Sequence, residues 1–306
     1  MNDYLDDAAL FMTPKLTQHG GHMIMTNVQK QTRQKYINLD TRFRDDFQTS
    51  NLINYNITLP ERINEIKSIT VSNIELPISY YNISENLGNN SFGLTISDKP
   101  FTIIIPDGQY DISGIVVGVN TSISSAGITN INFSIQNNKS IFLNTDITRP
   151  TMIDFSINSS GVSNSNNLKF KIGGILGFQY SEYMLTSNSP SITSTGTVNM
   201  NGPRYLYVII DEFSGKGNQA AFSTQLNNSS LGRNILARIQ IDGRKFPYGS
   251  TLTANRGSSG LLTSNIRSYN GKIDVQRFNI QLVNEVGTIM DLNGQDLALC
   301  LFADYE

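Results

Sequence analysis

Apolar residues fall at every second position along much of this chain, and that spacing limits what it can fold into. Asn54-Tyr55-Asn56-Ile57-Thr58-Leu59 and Asn130-Ile131-Asn132-Phe133-Ser134-Ile135 alternate polar and apolar side chains. Successive residues of a strand point to opposite faces, so this pattern predicts strands with one buried side. Side chains that carry most enzyme chemistry are scarce: two His and one Cys in 306 residues. A chain so built is expected to make a shape rather than run a reaction.

The first strand is expected over Lys35 to Leu39 and the second over Ile53 to Leu59, stopped by Pro60. Ile66 to Leu76 carries a phase slip. Ile69 and Val71 share one parity, Ile74 and Leu76 the other, which is the mark of a β-bulge. Further strands are expected at Phe92 to Ile96, Phe101 to Ile105, on either side of the Gln136-Asn137-Asn138-Lys139 turn, and at Met152 to Ile157 and Leu168 to Ile172. Arg204 to Ile210 is apolar on both parities, as in a strand buried on both faces. Ile235 to Ile241, Phe278 to Leu282 and Leu297 to Leu301 complete the series, with long loops at 158–167, 186–203 and 243–264.

One helix stands out. Asp111 precedes Ile112, Ile115, Val116, Val119 and Ile123, an N-cap followed by one apolar stripe. Gly114 and Gly118 each weaken it by about 1 kcal/mol relative to Ala, so packing must hold it. Together these elements predict an all-β fold: a single antiparallel β-sandwich, most plausibly a jelly roll with extra strands, one short helix and long loops. Residues 1–34 lack sustained periodicity and are expected to form a flexible N-terminal arm before a jelly-roll domain at 35–306.

Composition narrows the function. The net charge is −2, so no broad basic field draws the chain to nucleic acid, and direct nucleic-acid binding is not expected. The local cluster Lys30, Arg33, Lys35, Arg42 and Arg44 is interleaved with Asp40, Asp45 and Asp46, and local pairing is expected. No apolar run approaches the roughly 20 residues of a membrane span, and nothing at the N-terminus resembles a signal peptide. Cys300 lies among Leu297, Leu299, Leu301 and Phe302, where it reads as a small hydrophobe. The N-x-S/T triplets at Asn56, Asn82, Asn120, Asn132, Asn138 and Asn158 follow from the abundance of Asn and Ser.

The search for chemistry returns no catalytic, cofactor-binding or metal residues. His19 and His22 offer two ligands where catalytic zinc wants three, and any Ser-His-Asp or Cys-His arrangement would need the same pair. Asp6/Asp7 and Asp45/Asp46 read as solvated acids in charged turns. Gly173-Gly174-Ile175-Leu176-Gly177 lacks the Lys-Ser/Thr of a phosphate loop and reads as a tight turn. The Tyr and Phe residues mostly fit core positions, although rings of this kind can stack on sugars.

Six short segments, in order, resemble one family. They are Tyr36-Ile37-Asn38-Leu39-Asp40-Thr41-Arg42-Phe43-Arg44; Ile74-Glu75-Leu76-Pro77-Ile78-Ser79-Tyr80-Tyr81-Asn82-Ile83-Ser84; Gly88-Asn89-Asn90-Ser91-Phe92; Ile104-Ile105-Pro106-Asp107-Gly108-Gln109-Tyr110; Leu176-Gly177-Phe178; and Asp291-Leu292-Asn293-Gly294-Gln295-Asp296-Leu297. Together they resemble the single jelly-roll penton or minor capsid proteins of nucleocytoplasmic large DNA viruses, the giant viruses. The resemblance implies a non-enzymatic structural protein of the virion capsid, assembled in the host cytoplasm, with five copies at each five-fold vertex. The implied partners are further copies in a homopentamer, the major capsid protein and other minor capsid proteins. A minor capsid or cement protein beneath the shell is the alternative within the family. A glycan-binding attachment protein is the alternative outside it.

Overall fold

The computed structural model describes residues 31–45, 52–215, 234–258 and 260–306. Its backbone is organised by one long strand. β1 spans Arg33–Asp40 and β2 spans Asn54–Pro77, 24 residues that run straight through Pro60. The expected stop at Pro60 is therefore corrected. Opposite β14 (Arg267–Val283), Thr58 pairs with Arg277 and Ile63 with Val275, so residues 59–62 face a single residue across the ladder. Pro60 sits in that bulged stretch, where its missing N–H breaks no ladder bond.

The phase slip read at Val71 to Ile74 is a real bulge. β15 (Ala298–Tyr305) pairs Leu301 with Val71 and Cys300 with Asn73, which leaves Ser72 unopposed. Ile69, Val71, Ile74 and Leu76 are all fully buried despite their opposite parities. The extra residue turns the second half of the strand so that both pairs reach the core.

Around β2 an antiparallel sheet curls in the order β1, β15, β2, β14, β10 (Tyr205–Asp211), β11 (Ile235–Gln240) and β13 (Leu262–Ser264), with β12 (Thr251–Asn255) also on β2. β12 and β13 lie within the stretch expected to be one loop at 243–264; Leu252, Ala254 and Leu262 are buried, an alternation too short to stand out in the sequence. The curl brings β13 back to β2. The Ser264 hydroxyl accepts from the Val71 N–H at 3.0 Å and donates to the Leu236 carbonyl at 3.2 Å. Arg204 to Ile210 reads as predicted: Leu206, Val208 and Ile210 enter the main core, while Tyr207 and Ile209 pack with Ile235 and Val283 on the other face.

Between β2 and β10 the chain builds a second hydrophobic cluster, which alternation alone did not separate from the first. It holds β3 (Ser91–Ile96), β4 (Lys99–Ile104), β5 (Ile131–Gln136), β6 (Lys139–Asn144), β7 (Thr151–Asp154), β8 (Glu182–Leu185) and β9 (Ser191–Thr193). They form one four-stranded and one three-stranded sheet. Phe92, Phe133, Phe142, Phe155 and Phe178 fill the centre, with neighbouring centroids 4.8 to 6.3 Å apart in tilted, edge and stacked pairs. Such pairs add about 0.5–1.5 kcal/mol each beyond the area they bury. Asn137 and Asn138, both at positive φ, make the tight β5–β6 turn that the sequence marked.

The helix is α1, Ile112–Ser125, capped as expected by the Asp111 carboxylate on the Gly114 N–H at 2.6 Å. Ile115, Val119 and Ile123 are buried, while Ile112 is 43% exposed, so the stripe faces the core from its second turn onward. The strand expected at Leu168 to Ile172 is instead a 3-10 turn at Leu168–Phe170 followed by α2, Ile172–Ile175. Gly173 explains the change: a side chain there would strike the Phe155 ring, so the backbone turns against the aromatic core. The Gly-rich segment is a tight turn, with Gly177 at φ +89°. The structure is all-β with antiparallel sheets, consistent with a jelly roll carrying embellishments.

At the base of β2, Glu306 pairs with both Lys67 and Lys272. Those two ammonium groups hold its carboxyl down at about 2, from an ordinary 4.5. A depressed acid contributes stability above its unfolded value and loses it as pH falls through the folded one. Thermal stability should therefore fall between about pH 4.5 and 2, and Glu306→Gln should flatten that part of the profile. An unchanged acid limb in the variant, measured by circular-dichroism melting, would contradict the assignment.

Candidate assembly surfaces

The six family-like segments are spread over the chain, and hydrogen bonds bring five of them into one junction. Asn82, 4% exposed, donates through Nδ2 to the carbonyls of Tyr110 (2.8 Å) and Met200 (2.7 Å) and accepts from the Tyr110 N–H at 2.9 Å. Asn89 donates to the Asn82 carbonyl at 2.8 Å and accepts from the Ser84 N–H. Asp107 accepts from Asn90 Nδ2 and the Glu85 N–H through one oxygen. Ile83 and Gly108 form a two-way backbone bridge.

The same chain of contacts continues to the C-terminal segment. Ser79 donates to the Leu292 carbonyl at 2.6 Å, and Asn293 Nδ2 returns a bond to the Ser79 carbonyl. The Thr41 hydroxyl donates to Asp296 and accepts from the Leu297 N–H, while Arg44 pairs with Asp296 at 3.1 Å. Leu176 and Phe178 stand apart, in the second core. These polar residues fasten the seam between the two hydrophobic clusters. They are structural, because each spends its hydrogen bonds inside the chain.

Residues weighed for chemistry are dispersed. His19, His22, Asp6, Asp7, Lys30 and Asp46 lie outside the described residues. Cys300 is buried, and desolvation raises its thiol above the ordinary range. Asp45 accepts from Thr58 and pairs with Arg277. The local pairing expected of the basic cluster is seen for Arg42 with Asp40, whereas Lys35 reaches Glu61 and Arg44 reaches Asp296, acids outside the cluster. Among the described residues no group of three or more His, Cys, Asp or Glu is placed to hold a metal, and no helix is long and apolar enough to cross a membrane.

Exposed apolar side chains occur at several places, Val162, Tyr180, Met184 and Phe213 among them, and two of the surfaces that carry them are unlike each other. On the first, β1 pairs only with β15 among the described residues and so presents an edge that no other described strand covers. Tyr36 packs at a tilt of 48° against its cross-strand partner Phe302, centroids 4.4 Å apart, yet is 66% exposed; Phe43, in the turn that follows, is 75% exposed. The second is an open groove of about 490 Å³ along α1, lined by Pro106, Tyr110, Gly114, Val117 and Gly118, with Val117 65% exposed. Tyr110 lies against Gly118, where a Cβ would come within 3.0 Å of its ring; at Gly114 a Cβ would instead meet the capping carboxylate of Asp111 at 3.0 Å, with the ring at an ordinary 3.5 Å. Alternation predicted Tyr36 on an outer face, but no sequence signal pointed to the groove.

No family model matches this chain, and no curated protein does. Among solved structures, the crystal structure of SeMet-labelled mavirus penton protein aligns with 90% of this chain and 100% of its own, at 11% identity and TM-score 0.44. The 3.5 Å cryo-EM structure of the Sputnik virophage aligns with 88% of this chain and 97% of its own, at 12% identity and TM-score 0.40. One of the two is a penton protein. Both scores are low, so the functional argument rests on this chain's own surfaces.

Asn82 supplies the test of the seam. Replacing it by Leu removes three hydrogen bonds and leaves two part-buried carbonyls and the Tyr110 N–H without this partner. Urea denaturation should show a loss of about 3 kcal/mol, from roughly 1 kcal/mol per bond. A loss under about 1 kcal/mol would show that the seam does not depend on this amide.

Proposed function

We propose that this chain is a structural capsid protein, a penton that forms a homopentamer at the five-fold vertices of a large icosahedral DNA virus. The observation that carries the proposal is the pair of unlike exposed surfaces. A closed ring needs a heterologous interface, one flank fitting a different flank of the next copy. The β1 edge with Tyr36, Phe43 and Phe302 supplies one flank, and the apolar α1 groove is available as the other. The ordered family-like segments support the same reading, because they build the seam that holds both surfaces in place.

On this reading the protein is not an enzyme, and its place is the virion capsid, beside the major capsid protein and other minor capsid proteins. Arg33 and Gln34 belong to β1, so the arm expected over 1–34 is proposed for the residues before that strand, where it adds to contacts between neighbours. A cement role beneath the shell would use the same surfaces without five-fold closure.

Native mass spectrometry of the purified protein should show five-copy rings. Tyr36→Lys with Phe43→Ser should shift the population to monomer at an unchanged melting temperature, and deletion of residues 1–30 should weaken rings without unfolding the chain. A wild-type monomer at high micromolar concentration, or unaltered rings in the double variant, would overturn the assignment.

A further inference from the structure

The seam carries a cleft separate from the two surfaces proposed for assembly. A cavity of about 500 Å³ opens between the chain after β9 and the turn after β11. Asn82 builds its floor, and a second hollow of about 310 Å³ adjoins it through Asn82, Met200, Pro203 and Arg204. Two features distinguish this cleft from a packing gap.

The first is charge. Arg204 and Arg244 both line the cleft, and neither guanidinium has a carboxylate partner among the described residues. Their backbones are fixed. The Arg204 N–H donates to Glu285 at 2.7 Å and its carbonyl accepts from the Ile241 N–H at 2.9 Å. Arg244 sits in a turn whose N–H groups are held by Asp242, so that carboxylate is engaged with backbone. Elsewhere Arg42, Arg62, Arg149, Arg267 and Arg277 find acids, while Arg238 lies over the Tyr205 ring and Arg256 donates to the Ser264 carbonyl; what sets Arg204 and Arg244 apart is that they line the same cavity. Two unpaired guanidinium groups facing one cavity favour a ligand that brings its own carboxylate.

The second is a ring. Tyr248 lines the cleft and is 45% exposed. Tyr81 stacks on it, centroids 6.2 Å apart and planes 20° from parallel, and is not part of the cleft lining. A backed aromatic face beside the amides of Asn201, Gln240 and Gln109 suits a pyranose, whose C–H face packs on the ring while its hydroxyls meet the amides. We infer that this cleft binds a carboxylate-bearing oligosaccharide, with Arg204 and Arg244 on the carboxylate and Tyr248 under the sugar ring. The inference goes beyond the capsid role and is independent of ring formation.

Isothermal titration of the full-length protein distinguishes the sources of such a ligand. The probes are 3′-sialyllactose, a hyaluronan tetrasaccharide, uncharged lactose and a capped tetrapeptide with one aspartate. Saturable binding is expected for one or both acidic sugars, and lactose should bind at least roughly tenfold more weakly. Arg204→Gln, Arg244→Gln and Tyr248→Ala should each lower affinity roughly tenfold, from the loss of a charge-assisted bond or a stacking face. All three side chains are at least partly exposed, so melting temperature and ring mass should not change. Binding of neither acidic sugar, equal binding of lactose or of the peptide, or unaltered affinity in the arginine variants would overturn the inference.

Discussion

The backbone hydrogen bonds along β2 tie together strands drawn from the whole length of the chain. One edge carries β14 and then β12; the other carries β15, through which β1 is attached. A straight strand of 24 residues could not keep one face buried against all these partners, because twist accumulates along a ladder. The bulges at residues 59–62 and at Ser72, with further register shifts between Ser268 and Val275 of β14 and at Asp304–Tyr305 of β15, relieve that conflict by resetting register along the ladder.

A second constraint arises where the two hydrophobic clusters meet. Two cores cannot share one apolar surface without the loops between them burying backbone groups, and buried N–H and C=O groups must be paired. Asn is suited to this work because its amide donates and accepts at once. Asn82 and Asn89 use both halves of the amide, while Asn90 and Asn293 donate, and together they join segments up to 214 residues apart. The abundance of Asn, which in the sequence looks like surface composition, is in part the material of an internal joint.

What could be read from the sequence was whatever depends on neighbours along the chain. The alternation at Tyr55 to Leu59, the phase slip after Val71, the two-faced burial of Leu206 to Ile210 and the Asp111 cap are local patterns with local causes. What escaped was set by distant partners. Pro60 is tolerated because β2 itself bulges there, four residues against one of β14. Leu168 to Ile172 turns because Phe155 occupies the space beside Gly173. The α1 groove and the Arg204–Arg244 cleft exist only because the second cluster packs where it does. The family-like segments could be quoted in order from the sequence, but their convergence is a property of the fold.

Three features bear on the proposed shell-building role: a β framework organised by its longest strand, a hydrogen-bonded seam between the two cores, and two dissimilar apolar flanks. The most direct test is a cryo-EM reconstruction of the virus particle at a resolution that traces side chains. The account predicts density for this chain as a five-membered ring at every icosahedral vertex, with Tyr36 and Phe43 buried against the neighbouring copy. Vertices built from another polypeptide, or this chain placed there with β1 facing solvent, would contradict it.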